Sequence, residues 1–259
     1  MIDWVYGLPL GWLIVVVFAG TLAVAALVWA VVGRLAGGQR ADTLAAVSPG
    51  MLPPLGIVFA LVVGFLAAGV WNDASNARAA VDDEASAMRT ADLLVGSFPA
   101  PDAARMRALL RAQIAQDVNT DWPAMAKQRQ TLTVIPAALA GALTLALQLR
   151  PETAGQGVAQ RELAVSLENA LDARRQRIII SQSRVNWAKW AGVIALAVIA
   201  LLAIACVHAG RRATAAIAMG LFATAVAISL ILIVSQNRPF GGPFGVKPSP
   251  LEQVIPAAR

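Results

Sequence analysis

Three consecutive carboxylates, Asp82, Asp83 and Glu84, form the densest acidic cluster of the chain, and carboxylate oxygens gathered in one place bind hard cations. On a helix, successive side chains point about 100° apart, so three in a row need help from a second segment to converge on one ion. Two other arrangements are open to them: a solvated helix face, or pairing with the basic stretch at Arg174, Arg175 and Arg177. His208, the sole histidine, stands beside Gly210-Arg211-Arg212 at the end of an apolar run, where its ring reaches headgroups or the last helix carbonyls. Cys206, the sole cysteine, lies inside that run, which excludes an intrachain disulfide and a cysteine-based metal centre. Phosphate-binding glycine loops, zinc-protease motifs, nucleophile elbows and EF-hand loops do not occur. The expectation is no enzymatic activity, no cofactor and no metal.

A second pattern concerns permeation. Ile57, Leu61 and Phe65 recur at i, i+4 and i+8, so on a helix they form one apolar stripe. Such a stripe faces lipid or neighbouring helices; in a symmetric ring of copies it meets its counterparts on the axis, as a constriction that gates by dewetting. One chain with four spans encloses little space, so the second arrangement requires an oligomer. No apolar run carries an ionisable residue deep in its core, and proton pumps and many ion-coupled transporters depend on such groups. Passive permeation or a role other than transport remains.

The elements that position these residues follow from composition. Of 259 residues 58% are hydrophobic and only 14% charged, and the mean hydropathy is +0.65, far outside the soluble range. Leu10 to Val32, Trp190 to Val207 and Ala213 to Val234 each approach the roughly 20 helical residues that cross a hydrocarbon core. Leu55 to Val70 is shorter, and Met51, Leu52 and a tilt make up the difference. The expected class is an all-α membrane protein with four transmembrane helices and a helical extramembrane domain inserted between the second and third. Its parts are 1–70, 71–189, 190–234 and a Pro/Gly-rich tail, 235–259. Trp4, Trp12, Trp29, Trp71, Trp187 and Trp190 flank the runs, at the level an indole favours. The first run has no preceding Lys or Arg and is too long for a typical signal peptide, so it reads as a retained span. A net charge of +6, with arginines bordering the spans, points to the lipid bilayer and not to nucleic acid.

Between the second and third spans the punctuation divides 71–189 into three or four helices. The second span continues without a stop to about Ser97, with Ala77, Val81, Ala85, Met88, Ala91 and Val95 on one face. Phe98-Pro99-Ala100-Pro101 ends it, and Asp102 is the expected N-cap of the next helix, whose apolar stripe is Leu109, Leu110, Ile114 and Val118. Pro123 marks a further boundary. Val134 to Leu149 is about 24 Å of Ala-rich helix, too short to span, and is expected inside a bundle. A last long helix, with Leu163, Leu167, Ala170, Leu171 and Ile178 on one face, is expected to lead into the third span. Basic residues flank the spans on both sides at similar density; the large block is expected on the cytoplasmic side.

Two segments carry a resemblance. PGMLPPLGIVFALVVGFLAAGVWNDASNARAAVDDEASAMR and the tail motif RPFGGPFGVKPSPLEQVI, Arg238 to Ile255, resemble the bestrophin-like family of bacterial membrane proteins, long treated as a domain of unknown function. That family is distantly similar to bestrophins, which have four spans, a helical cytoplasmic region and a homopentameric anion pore lined by the second span. The resemblance implies a bacterial inner-membrane homopentamer that passes an inorganic anion such as chloride. Ile57, Leu61 and Phe65 would form its neck, and Asn72 or Arg78 would line the vestibule beyond. The paired aromatics that follow the bestrophin pore span are reduced here to Trp71, and the acidic calcium clasp of the animal channels has no counterpart, so calcium gating is not implied. The contrasting expectation is a non-conducting scaffold or signalling protein whose helical domain binds a partner.

Overall fold

The computed structural model describes residues 9–36, 49–242 and 244–254; Trp4, Arg40, Ser48 and Ile255, used in the sequence reading, lie outside them. All regular structure among the described residues is helical. The helices are α1 (Leu10–Leu35), α2 (Leu52–Val95, entered through a 3₁₀ turn at Pro49–Met51), α3 (Ala100–Gln116), α4 (Trp122–Ala126), α5 (Ala137–Gln148), α6 (Ala154–Ser181), α7 (Trp187–Val207), α8 (Arg212–Gln236) and α9 (Ser249–Glu252). A π-helical turn, Asp117–Asp121, joins α3 to α4. Four of these, α1, α2, α7 and α8, are long and apolar enough to cross a membrane.

The described residues fall into two compact units. The first comprises the chain to Trp71 and Arg184–Asn237, and so holds α1, the apolar part of α2, α7 and α8. Ala25, Val28 and Val32 of α1 pack with Leu201 and Ala205 of α7 and Met219 and Ala223 of α8. Small residues at these crossings let backbones approach closely, which matters because lipid supplies no hydrophobic force between helices. At one corner the Trp29 indole donates to the Arg212 carbonyl at 3.2 Å, while the Arg212 side chain lies over the Trp29 ring and donates to the Gly33 carbonyl.

The second unit comprises Asn72–Ser183 and the tail from Arg238. The expected inward face of α2, Ala77, Val81, Ala85, Met88, Ala91 and Val95, is buried throughout. It joins Met106, Leu110 and Ile114 of α3, Leu139, Ala142 and Leu145 of α5, and Leu163, Leu167 and Ile178 of α6 in one core. The tail closes this core with Phe240, Leu251 and Val254; Trp122 meets Phe240 edge-on at 5.5 Å and donates to the Val246 carbonyl at 3.0 Å. Gly245 fits closely there, since a Cβ would stand 3.0 Å from the Gly241 carbonyl oxygen and would push the turn's backbone aside.

Several local expectations need correction. Helix α3 is capped at Pro99, and Asp102 stands in its first turn: prolines at 99 and 101 preset helical entry one turn early, and the carboxylate serves the helix dipole instead. Helix α5 begins at Ala137, because Pro136 disfavours helix before it; Val134 and Ile135 are exposed loop residues. The long helix α6 does not run into the third span. It stops at Ser181, and Asn186 starts α7 afresh by accepting the Ala188 N–H at 3.2 Å.

Candidate functional site

Helix α2 extends 44 residues, about 66 Å, and Pro53 and Pro54 fall in its first turn, where proline is tolerated. Phe59, Leu66 and Val70 pack against Val193 and Ala197 of α7 and Val226 and Ile233 of α8, with the Phe59 and Phe222 rings 5.4 Å apart. At 100° per residue this leaves Ile57, Leu61 and Phe65 on the opposite side, where they are 67%, 55% and 70% exposed. The three share one open apolar face. At Gly64, beside it, open space stands where a Cβ would be, so another surface can come close.

Asn72 and Arg78 are both exposed. On an ideal helix Asn72 falls within about 20° of the stripe's mean direction, whereas Arg78 lies about 100° away, on the flank. Ala79, Asp83, Ser86 and Thr90 continue the same line, all exposed. Asp83, Ser86 and Thr90 form one wall of a polar groove of about 560 Å³, and Glu162, Asn169, Asp172 and Gln176 of α6 form the other. The sequence reading missed this groove. Its α2 wall could have been found by extending the helical period of Ile57 past Trp71; its α6 wall depends on a long-range contact.

The acidic trio separates as helix geometry requires: Asp82 and Asp83 face solvent, while Glu84 is fully buried. Glu84 meets Arg177 of α6, which realises the expected pairing with the Arg174–Arg177 stretch. Arg177 Nη2 donates to Glu84 Oε1 at 3.1 Å and to Asp117 Oδ1 at 2.7 Å, and its guanidinium lies 4.8 Å from the Trp122 ring. Arg177 Nε approaches Glu84 Oε2 to 2.8 Å without an aligned hydrogen bond. Arg174 donates twice to Asp121 Oδ2, at 2.9 and 2.6 Å; Gln113 donates to both Asp117 oxygens and Gln130 to Asp121 Oδ1.

Three buried carboxylates therefore face two guanidiniums, and one proton neutralises the set. Burial pushes the Glu84 carboxyl up to about 8, against the pull of Arg177 and with the Asp117 charge adding to the rise. Burial also raises Asp117, again opposed by Arg177. Arg177 stays cationic: burial works against its charge, but Glu84 and Asp117 outweigh that. The π turn sets Asp117 and Asp121 one turn apart on one side of the chain, and inserted turns of this kind recur at functional sites. The cluster ties α2, the π turn and α6 together. Among the described residues no group of His, Cys, Asp or Glu is arranged to hold a metal.

Four membrane-length helices, one of them continuing beyond its apolar part, define a multi-pass helical membrane protein. The chain belongs to the bestrophin-like family: the model of the Bestrophin-like domain matches residues 19–251. No curated protein and no solved structure matches it significantly.

Proposed function

We propose that the protein is a passive, anion-permeable channel and not an enzyme. It is built as a homo-oligomer, a pentamer in keeping with the bestrophin resemblance, in the bacterial inner membrane. The exposed line of Ile57, Leu61 and Phe65 on a helix whose other face is packed carries this reading. In a ring these side chains form a neck that water and ions cross only when it is wetted. Asn72 lines the vestibule beyond, Arg78 stands at its flank, and the helical unit lies on the cytoplasmic side. Purified protein in liposomes should pass chloride, and the detergent-solubilised particle should have a mass near five times 27.0 kDa. A monomer, or vesicles that stay tight under varied salt and voltage, would overturn the proposal.

The polar groove of α2 and α6 favours a second reading, a non-conducting scaffold that binds a partner through its helical unit. Asp83, Glu162 and Asp172 give the groove an acidic character suited to a basic segment and not to an anion path. A dimer without an axis lined by α2, together with tight vesicles, would establish this alternative.

A further inference from the structure

The loop between α4 and α5 presents Leu132, Val134 and Ile135 to the outside, at 44%, 69% and 71% exposure, within five residues. Exposed Lys127 and Arg129 precede them. Apolar side chains clustered on a loop tip and flanked by cations match the layering of a bilayer boundary, with hydrocarbon beyond anionic headgroups.

Position supports the match. Gln128 takes a left-handed backbone, φ 55°, which a non-glycine residue keeps only when its surroundings hold it. Its side-chain amide reaches the carbonyls of Ser181 and Ser183 at 3.4 and 3.5 Å, and the Gln182 amide donates to the Gln130 carbonyl at 2.8 Å. The base of the loop is therefore fastened to the end of α6. Apolar α7 starts four residues after Ser183, and four residues of chain reach at most about 14 Å. A second tether agrees: Gly241, five residues beyond the end of apolar α8, is packed so that a Cβ there would stand 3.2 Å from the Ala126 carbonyl. The base of the loop thus lies, within the helical unit, beside the two places where the chain leaves that unit after Ser183 and re-enters it at Arg238.

We propose that the loop at 131–135 is a bilayer anchor, with Leu132, Val134 and Ile135 inserted at the headgroup boundary and Lys127 and Arg129 on lipid phosphates. The occupant of this apolar tip is lipid, whether or not the protein conducts. The opposite end of the helical unit, near Glu152, is separated from it by the length of α6, about 42 Å, and serves as the control position.

The test uses full-length protein in liposomes with Cys206→Ser removing the native thiol. A single cysteine at Val134, at Ile135 or at Glu152 is labelled with an environment-sensitive fluorophore. Labels at Val134 and Ile135 should show blue-shifted emission that is lost on adding lipids spin-labelled near the headgroup, and the Glu152 label should show neither. Water-like emission at both loop positions overturns the proposal. So does a blue shift that spin-labelled lipid leaves unquenched, which would place protein over the loop, as does equal quenching at Glu152, which would lay the whole helical unit on the membrane.

Discussion

Arg177 and Asp117 are both fully buried, and Arg177 Nη2 donates to Asp117 Oδ1 at 2.7 Å. Removing one member of such a pair leaves a charge without compensation in a dry interior, which costs about 3–5 kcal/mol. Arg177→Met should therefore lower the melting temperature of the purified protein sharply, followed by its helical circular dichroism in detergent. Glu84→Gln should be far milder at neutral pH, because the carboxyl it replaces already carries a proton.

The same carboxyl sets a pH dependence. Glu84 is raised from 4.5 to about 8 by burial, so between those values the folded chain holds a proton that the unfolded chain has released. Its contribution is complete below about pH 4.5 and is lost as pH rises through about 8, at up to about 1.4 kcal/mol per pH unit. Asp117, also raised, acts in the same direction. Melting temperatures measured across this window should fall with pH, and Glu84→Gln should flatten the slope; an unchanged slope in that variant would exclude Glu84 as its source.

Adjacent residues on α2 offer a test that separates the proposed permeation path from packing. Phe65 is 70% exposed and Leu66 only 8%. Phe65→Ala and Leu61→Ser should raise anion flux into liposomes by widening or wetting the neck. Leu66→Ala should lower stability and leave the flux of folded protein unchanged. Its cost should lie below the about 2–5 kcal/mol typical of a water-soluble core, because lipid tails are as apolar as the side chains that Leu66 touches. Equal flux effects from the two positions would sink the assignment of faces.

The proposed neck makes a prediction about selectivity. With no carboxylate or guanidinium at Ile57, Leu61 or Phe65, its barrier would be the work of stripping water from the ion. Large, weakly hydrated anions should then pass more readily than chloride in reversal-potential measurements. A strict preference for the smallest anion would contradict a neck built from these residues.

The tail is part of the helical core. Phe240→Ala removes the edge-on partner of Trp122 and should destabilise by about 3–5 kcal/mol. Gly245→Ala forces a methyl group against the Gly241 backbone and should destabilise through displacement of the turn. Thermal melts of both variants test this, and wild-type stability in each would show that the tail is dispensable.

What could be read in advance was local periodicity. The uninterrupted α2, its buried face from Ala77 to Val95 and the α6 stripe of Leu163, Leu167, Ala170 and Ile178 needed only the helical repeat. The ionic cluster was half legible: pairing of the Asp82–Glu84 carboxylates with the Arg174–Arg177 stretch was one of two arrangements open to them, and burial of Glu84 selects it. Asp117 and Asp121 did not stand out, because their burial depends on a π turn that no pattern of residue types announces. The break between Ser181 and Trp187 was missed because SQSRVN contains neither proline nor glycine, and only Asn186 acting as a cap reveals it.

From Leu55 to its end at Val95 helix α2 contains no proline, and it is assigned as one uninterrupted helix. Phe65 and Glu84 therefore stand in a single element of the chain. The open apolar stripe and the buried ionic cluster share one helical segment, so a substitution that breaks α2, such as Ala77→Pro, should damage both.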